Sequence, residues 1–95
     1  MTKEDYNVFI EDLHYGTGAF VSFMGEVYMI DEDENDNGSP CIYVSKVKPA
    51  EPNYIFMASG SLDRYPVEKF LKAKIWGGKT FPEAYGELDF VQDNV

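Results

Sequence analysis

The fold is decided by residues 19–30, which read AFVSFMGEVYMI and form the densest apolar and β-prone run in the chain. Aromatic and β-branched side chains suit the pleated, half-buried surface of a sheet. Gly25 interrupts the run near its middle. The pattern therefore predicts a hairpin that turns at Met24-Gly25, with strands near residues 19–23 and 26–31. The other segments are expected to extend this hairpin sideways or to cover one of its faces.

Two more strands are expected after the hairpin, over residues 41–47 and 54–58. Pro49 and Pro52 mark the connection between them, because proline cannot donate to a strand ladder. Short links favour pairing of consecutive strands, so the sequence predicts a four-stranded antiparallel meander. As an alternative, residues 88–91 form a further strand at the edge of the sheet.

Helices are expected at both ends of the chain. Apolar side chains recur with helical spacing over residues 2–13, at Tyr6, Phe9, Ile10 and Leu13. One short C-terminal helix is predicted to begin at Pro66 and to contribute Phe70 and Leu71 to the core. Another is predicted to begin at a capping box formed by Thr80 and Glu83, after a break at Gly77-Gly78. The expectation is one α+β domain over residues 1–95, with all helices on one face of the sheet.

Composition and length narrow the class of protein. The chain has 95 residues and is 44% hydrophobic, which indicates one folded domain rather than disorder. No apolar run approaches the ~20 residues of a membrane span, and the N-terminal residues lack a signal-peptide pattern. Cys41 is the only cysteine, so an internal disulfide is excluded. A cytoplasmic protein without a membrane partner is therefore expected.

The net charge of −9 is segregated along the chain. Residues 1–45 carry ten acids and one lysine, residues 46–79 carry seven bases and three acids, and residues 80–95 carry four acids. Nucleic-acid binding is not expected, because phosphate contacts need clustered lysine and arginine on a basic face. A basic protein partner would be attracted, although acidity for solubility is the competing interpretation.

The acids are densest around the second strand. Six lie within eleven positions with no base between them: Glu26, Asp31, Glu32, Asp33, Glu34 and Asp36. The negative charges in such a cluster repel one another and destabilise the folded state. Electrostatic steering of a partner is a function that accounts for so unfavourable a cluster. We therefore predict that these six residues form a partner-binding surface.

The chemical motifs are incomplete. Residues 33–38 match the first half of a calcium loop, but Val44 stands where a bidentate glutamate is required, which leaves a solvated hairpin loop or weak divalent binding. Residues 77–80 resemble the tail of a phosphate loop without its first glycine or its preceding strand. His14 and Cys41 do not make a catalytic or zinc site by themselves. No catalytic residue, metal or cofactor is expected, and the chain is predicted not to be an enzyme.

Two segments resemble known proteins. Residues 23–30, FMGEVYMI, look like an aromatic-x-Gly-x-x-Tyr-x-Ile hairpin found in many small bacterial proteins. Residues 70–83, FLKAKIWGGKTFPE, are similar to the C-terminal segment of small uncharacterised proteins of Gram-positive bacteria and their phages. The resemblance implies a small cytoplasmic α+β protein, encoded in some cases near phage or toxin genes, and it brings no catalytic residues.

Two classes of function follow from these features. The first is a non-enzymatic interaction protein, in its sharpest form an inhibitor or immunity protein for a basic toxin or nuclease. The second is a small ligand-binding domain or enzyme that uses a pocket on the sheet face, with carboxylates such as Glu26 or Asp89 at shifted pKa values. Coverage of the apolar sheet face by the helices is expected to discriminate between them. An open face with a pocket favours ligand binding, whereas a closed core with an acidic outer patch favours a protein partner.

Overall fold

The computed structural model describes residues 1–61 and 63–91. The elements in chain order are α1 (Lys3–His14), β1 (Ala19–Phe23), β2 (Glu26–Glu34), β3 (Pro40–Lys48), β4 (Ala50–Ser59), α2 (Val67–Lys72), α3 (Phe81–Ala84), a 3-10 turn (Tyr85–Glu87) and β5 (Leu88–Val91). The predicted α+β class and antiparallel sheet are confirmed.

The sheet has five strands, in the order β4-β3-β2-β1-β5, and every pair is antiparallel. The expected meander of four strands is therefore wrong in its strand number. β5 returns from the C-terminal region and pairs with β1, where Val21 lies opposite Phe90. The physical reason is that the meander leaves β1 with a free edge, and β5 satisfies the backbone groups along it.

The β1–β2 hairpin turns where the sequence predicts. Met24 has a φ of 51° and Gly25 a φ of 79°. Two consecutive positive φ angles define the turn whose twist matches the flanking strands, and glycine adopts the second of them without a steric cost. This turn brings Phe23 opposite Glu26.

The strands β2, β3 and β4 are longer than predicted. β2 continues to Glu34, because Asp33 and Glu34 pair with Cys41 and Pro40 of β3. β4 begins at Ala50 and contains Pro52, which the sheet tolerates because β4 is an edge strand.

The helices pack on one face of the sheet. Phe9 and Leu13 of α1 and Phe70 of α2 are buried in the same cluster as Val21 and Ile30 of the sheet, and Leu71 is partly buried against it. The prediction that these helical residues contact the sheet is confirmed. Burying large apolar side chains in this way is the dominant favourable term for so short a chain.

Aromatic rings form the centre of this core. Trp76 is fully buried, with ring centroids 5.7 Å from Phe23, 5.3 Å from Tyr28 and 5.9 Å from Phe81. A tight turn through Gly77-Gly78 holds the indole in place, since Trp76 and Lys79 exchange backbone hydrogen bonds. The expected capping box then begins α3. The Thr80 hydroxyl accepts a hydrogen bond from the backbone amide of Glu83, and the Glu83 carboxylate accepts one from the backbone amide of Thr80.

Candidate functional site

The second face of the sheet is not covered by any element that the structure describes. We call it the open face, and we define it by the strand side chains that alternate with the core residues. Its members are Phe20 and Ser22 of β1, Val27, Met29, Asp31 and Asp33 of β2, Cys41, Tyr43, Ser45, Val47 and Lys48 of β3, Tyr54, Met57 and Ser59 of β4, and Asp89 and Val91 of β5.

An apolar band crosses the open face from one edge to the other. Strand register places Val91, Phe20, Met29, Ser45 and Tyr54 in one row across all five strands. Side chains in such a row are neighbours across the sheet. The band is therefore apolar on four of the five strands, with Ser45 of β3 as its polar member, and it is aromatic at both the β1 and the β4 positions.

The next row continues the band with one acid. Asp31 lies opposite Tyr43, which lies opposite Met57. The rings of Tyr43 and Tyr54 are 5.0 Å apart, and Tyr54 and Met57 are 57% and 62% exposed. These large, exposed apolar side chains lie together as one patch on one face of the sheet rather than as scattered surface residues.

Asp31 and Asp33 are exposed on the open face, on the central strand β2 beside the apolar band. Each carboxylate accepts a hydrogen bond from the backbone amide of the following residue, at 2.9 Å for Asp31 and 2.8 Å for Asp33. Neither forms an ion pair with the residues that the structure describes. Two of the six predicted acids therefore lie together beside the exposed aromatic residues.

Glu26 lies at the opposite end of β2 and is neutralised. Its carboxylate is 2.9 Å from the ammonium of Lys46, which is also 3.1 Å from the carboxylate of Glu51. Hydrogen bonds to these two carboxylates hold the pKa of Lys46 above its usual value. Glu26 is thus separated from the other predicted acids by most of the length of the strand.

Glu32 points to the helix side of the sheet, opposite Ile42 of β3. Each of its carboxyl oxygens has less than 1 Å² exposed and no hydrogen-bond partner among the described residues. Burial, with a smaller contribution from the charge of Asp31, raises the pKa of Glu32 to about 8. Near neutral pH this residue is mostly uncharged, so it contributes little to an acidic surface.

Glu34 and Asp36 are both exposed, but they lie away from the apolar band. Glu34 ends β2, and Asp36 lies in the loop that joins β2 to β3. The side chain of Asn35 organises this loop by accepting hydrogen bonds from the backbone amides of Asn37, at 2.9 Å, and Ser39, at 3.0 Å. Within residues 1–61 and 63–91, no group of three metal-ligating side chains is close enough to hold an ion.

A cleft of about 520 Å³ lies on the helix side, between the end of α1 and the start of α2. Its walls include His14, Arg64, Tyr65 and Lys69. The Lys69 ammonium donates to the carbonyl of Ser59 at 3.0 Å. Burial, followed by the charges of Glu32, Glu34 and Asp33, raises the pKa of the Tyr65 phenol.

Comparison of the chain with protein-family models, with curated proteins and with solved structures finds no match in any of the three. The resemblance of residues 23–30 and 70–83 to small Gram-positive and phage proteins therefore stays a prediction. Over the described part of the chain, helices are too short and too polar to cross a bilayer.

The open face contains functional candidates that the sequence analysis did not single out. The sequence predicts strands at Tyr43, Tyr54 and Met57 but does not predict which face of the sheet they occupy. The signal that identifies them is period-two alternation: in β3 the buried Ile42 and Val44 bracket Tyr43, which must point the other way.

Proposed function

We propose that this chain is a non-enzymatic interaction protein that binds a basic protein partner through the open face. The observation that supports it is the position of Asp31 and Asp33 beside Tyr43, Tyr54 and Met57. Aromatic residues and methionine are enriched in the centres of interfaces, and the rigid aromatic rings give large contact area at low entropic cost. Carboxylates at the margin give such a surface its electrostatic preference.

The charge of the chain supports a basic partner over a second copy of the chain itself. Two copies that each carry a net charge of −9 repel one another, whereas a basic surface is attracted. The partner surface that fits best has apolar side chains at its centre and lysine or arginine on the side that meets Asp31 and Asp33. A basic toxin or nuclease with an inhibitor of this kind is one assembly with that chemistry.

The test begins with capture of a partner from the native host lysate at low and high salt, followed by measurement of association and dissociation rates. The variant Asp31→Asn/Asp33→Asn is expected to slow association about three- to tenfold at low ionic strength and to flatten its salt dependence. The variant Tyr54→Ala/Met57→Ala is expected to raise the dissociation rate about tenfold or more.

The matched control is Glu4→Gln/Glu11→Gln, which removes the same charge from exposed positions on α1. This control lies on the helix side, so it is expected to change the association rate much less than the pair on the open face. Equal effects of the two charge pairs would show that only net charge matters. Unchanged dissociation in Tyr54→Ala/Met57→Ala would place the contact elsewhere, for example on the basic stretch around Lys69 and Lys72.

A second candidate function is binding of a small ligand on the sheet. The observation that favours it is a shallow groove of about 380 Å³ at the β1 end of the apolar band, lined by Phe20, Met29, Asp31, Phe90 and Val91 among others. A groove with one carboxylate among apolar residues fits a small apolar amine. A saturable increase in melting temperature with such amines, lost in Asp31→Asn, would favour this function over the protein partner.

A further inference from the structure

The loop that joins β2 to β3 contains an asparagine followed directly by a glycine, at Asn37-Gly38. Two backbone hydrogen bonds close this loop. The amide of Gly38 donates to the carbonyl of Asn35 at 2.9 Å, and the amide of Asn35 donates to the carbonyl of Ser39 at 2.9 Å. Gly38 has a φ of 77°, the left-handed conformation that ends hairpin loops of this kind and favours glycine. The turn therefore requires a residue without a side chain directly after Asn37.

The side chain of Asn37 lies beside an unhindered backbone nitrogen. Asn37 is exposed, and its side-chain amide makes no hydrogen bond among the residues that the structure describes. Gly38 is exposed as well, and a Cβ built on it would have no described atom within 4 Å apart from its chain neighbours. Neither a side chain nor a packed segment therefore shields the nitrogen of Gly38 from the amide carbon of Asn37.

The other asparagines in the described part of the chain lack this combination. Asn7 lies within α1 and Asn53 within β4, and each is followed by a bulky side chain. The side-chain oxygen of Asn35 already accepts two hydrogen bonds from backbone amides of the loop. The residue after Asn35 is Asp36, whose negative charge disfavours an anionic nitrogen beside it. Asn37 is thus the most reactive of these asparagines toward its own backbone.

We propose that Asn37 is a site of spontaneous deamidation, with the backbone nitrogen of Gly38 as the nucleophile. A base, hydroxide or a buffer anion, removes the proton from this nitrogen, which then attacks the side-chain amide carbon of Asn37. The new carbon–nitrogen bond closes a five-membered succinimide ring. The bond from that carbon to the amide nitrogen breaks, and the nitrogen takes a proton from water and leaves as ammonia. Water then adds to either carbonyl of the ring and opens it to aspartate or isoaspartate.

Both products change the loop. Each replaces a neutral amide by a carboxylate, which adds one negative charge to the net charge of −9 directly after Asp36. In isoaspartate the main chain also runs through the Cβ atom and gains one atom, so the hydrogen bonds from the loop amides to the side chain of Asn35 no longer fit. The reaction does not depend on the proposed function, because it needs no partner and lies outside the open face.

The test is incubation of the whole chain at neutral and mildly alkaline pH, followed by tandem mass spectrometry with electron-transfer fragmentation. This method assigns the gain in mass to one asparagine and separates aspartate from isoaspartate. Asn37 is expected to convert at least about tenfold faster than each of the other three asparagines, since attack there requires opening of a helix, a strand or the Asn35 contacts. The rate is expected to rise with pH, because the deprotonated nitrogen is the nucleophile. Conversion of Asn35 or another described asparagine as fast as Asn37 would overturn the proposal.

A synthetic peptide of residues 33–41 gives the rate of the same reaction without the fold. In the whole chain the Gly38 amide must first leave its exposed hydrogen bond to Asn35, which is expected to slow the reaction about fivefold relative to the peptide. A rate in the whole chain more than about a hundredfold below that of the peptide would overturn the proposal, because the folded loop would then shield the nitrogen of Gly38.

A pair of variants assigns the reaction to Asn37. Asn37→Gln lengthens the side chain by one methylene, so attack would close a less favourable six-membered ring, and the gain in mass of the whole chain is expected to fall at least about tenfold. The matched control Asn53→Gln makes the same change at an exposed position on β4 and is expected to keep the wild-type rate. An Asn37→Gln chain that gains mass as fast as wild type would overturn the proposal, since the reaction would then lie at another residue.

Discussion

Replacing Glu32 by glutamine is expected to change how the stability of the fold depends on pH. The pKa of Glu32 is raised from 4.5 to about 8 in the folded chain, so between these values the folded state binds more protons than the unfolded state. The free energy of unfolding contributed by this group is therefore fully present below pH 4.5 and is lost as pH rises toward 8.

The magnitude follows from the size of the shift. At 1.36 kcal/mol per pKa unit the shift corresponds to an upper bound of ~5 kcal/mol. The carboxyl oxygens of Glu32 are enclosed, but the residue as a whole is only partly buried, so solvent screening reduces this contribution and we expect about 2 kcal/mol. Glutamine does not titrate, so Glu32→Gln should gain this amount relative to wild type between about pH 5 and 8.

The assay is urea denaturation of both chains at several pH values, followed by the fluorescence of the buried Trp76. The quantity that matters is the difference in unfolding free energy between the chains, since other carboxylates contribute equally to both. A difference that stays constant across this range, or one in which the variant loses stability relative to wild type as pH rises, would refute the reasoning.

Three further substitutions test the packing, the capping and the close approach of backbone segments, each by urea denaturation against wild type. Phe70→Ala should lower the unfolding free energy by about 3–5 kcal/mol, because Phe70 is fully buried; a loss below about 1 kcal/mol would show a loosely packed core. Thr80→Ala should cost about 1 kcal/mol by removing the cap on the amide of Glu83, and Thr80→Ser should restore most of it. Gly18→Ala should cost at least about 2 kcal/mol, since its Cβ would lie 2.1 Å from the carbonyl oxygen of Ile30; unchanged stability would mean that the two segments separate easily.

Local patterns predicted most of the fold. The turn at Met24-Gly25, the helix that ends at His14 and the capping box at Thr80 each depend on neighbouring residues, so the sequence identifies them directly. The position of β5 depends instead on the free edge of β1, which lies far away along the chain. A four-residue strand carries too little pattern to show which edge it will join.

The placement of the six acids on one surface could be predicted less well, and their role in binding a partner stays a prediction. β2 continues through Glu34, and alternation along a strand sends Asp31 and Asp33 to the open face but Glu32 to the helix side. The signal was present in the spacing of Tyr28, Ile30 and Glu32, two residues apart. The charge of Glu32 obscured it, since an acid is rarely expected in line with core residues.

The pairing of β5 with β1 also has a consequence for biosynthesis. β1 through β4 can pair in sequence as they leave the ribosome, but the outer edge of β1 has no partner until residues 88–91 have been made. During that interval β1, which contains Phe20 and Phe23, has an unpaired edge whose free backbone groups can pair with a strand of another nascent chain. Stop codons or ribosome stalling before Leu88 should therefore yield aggregation-prone fragments, whereas chains that extend past Val91 can close this edge themselves.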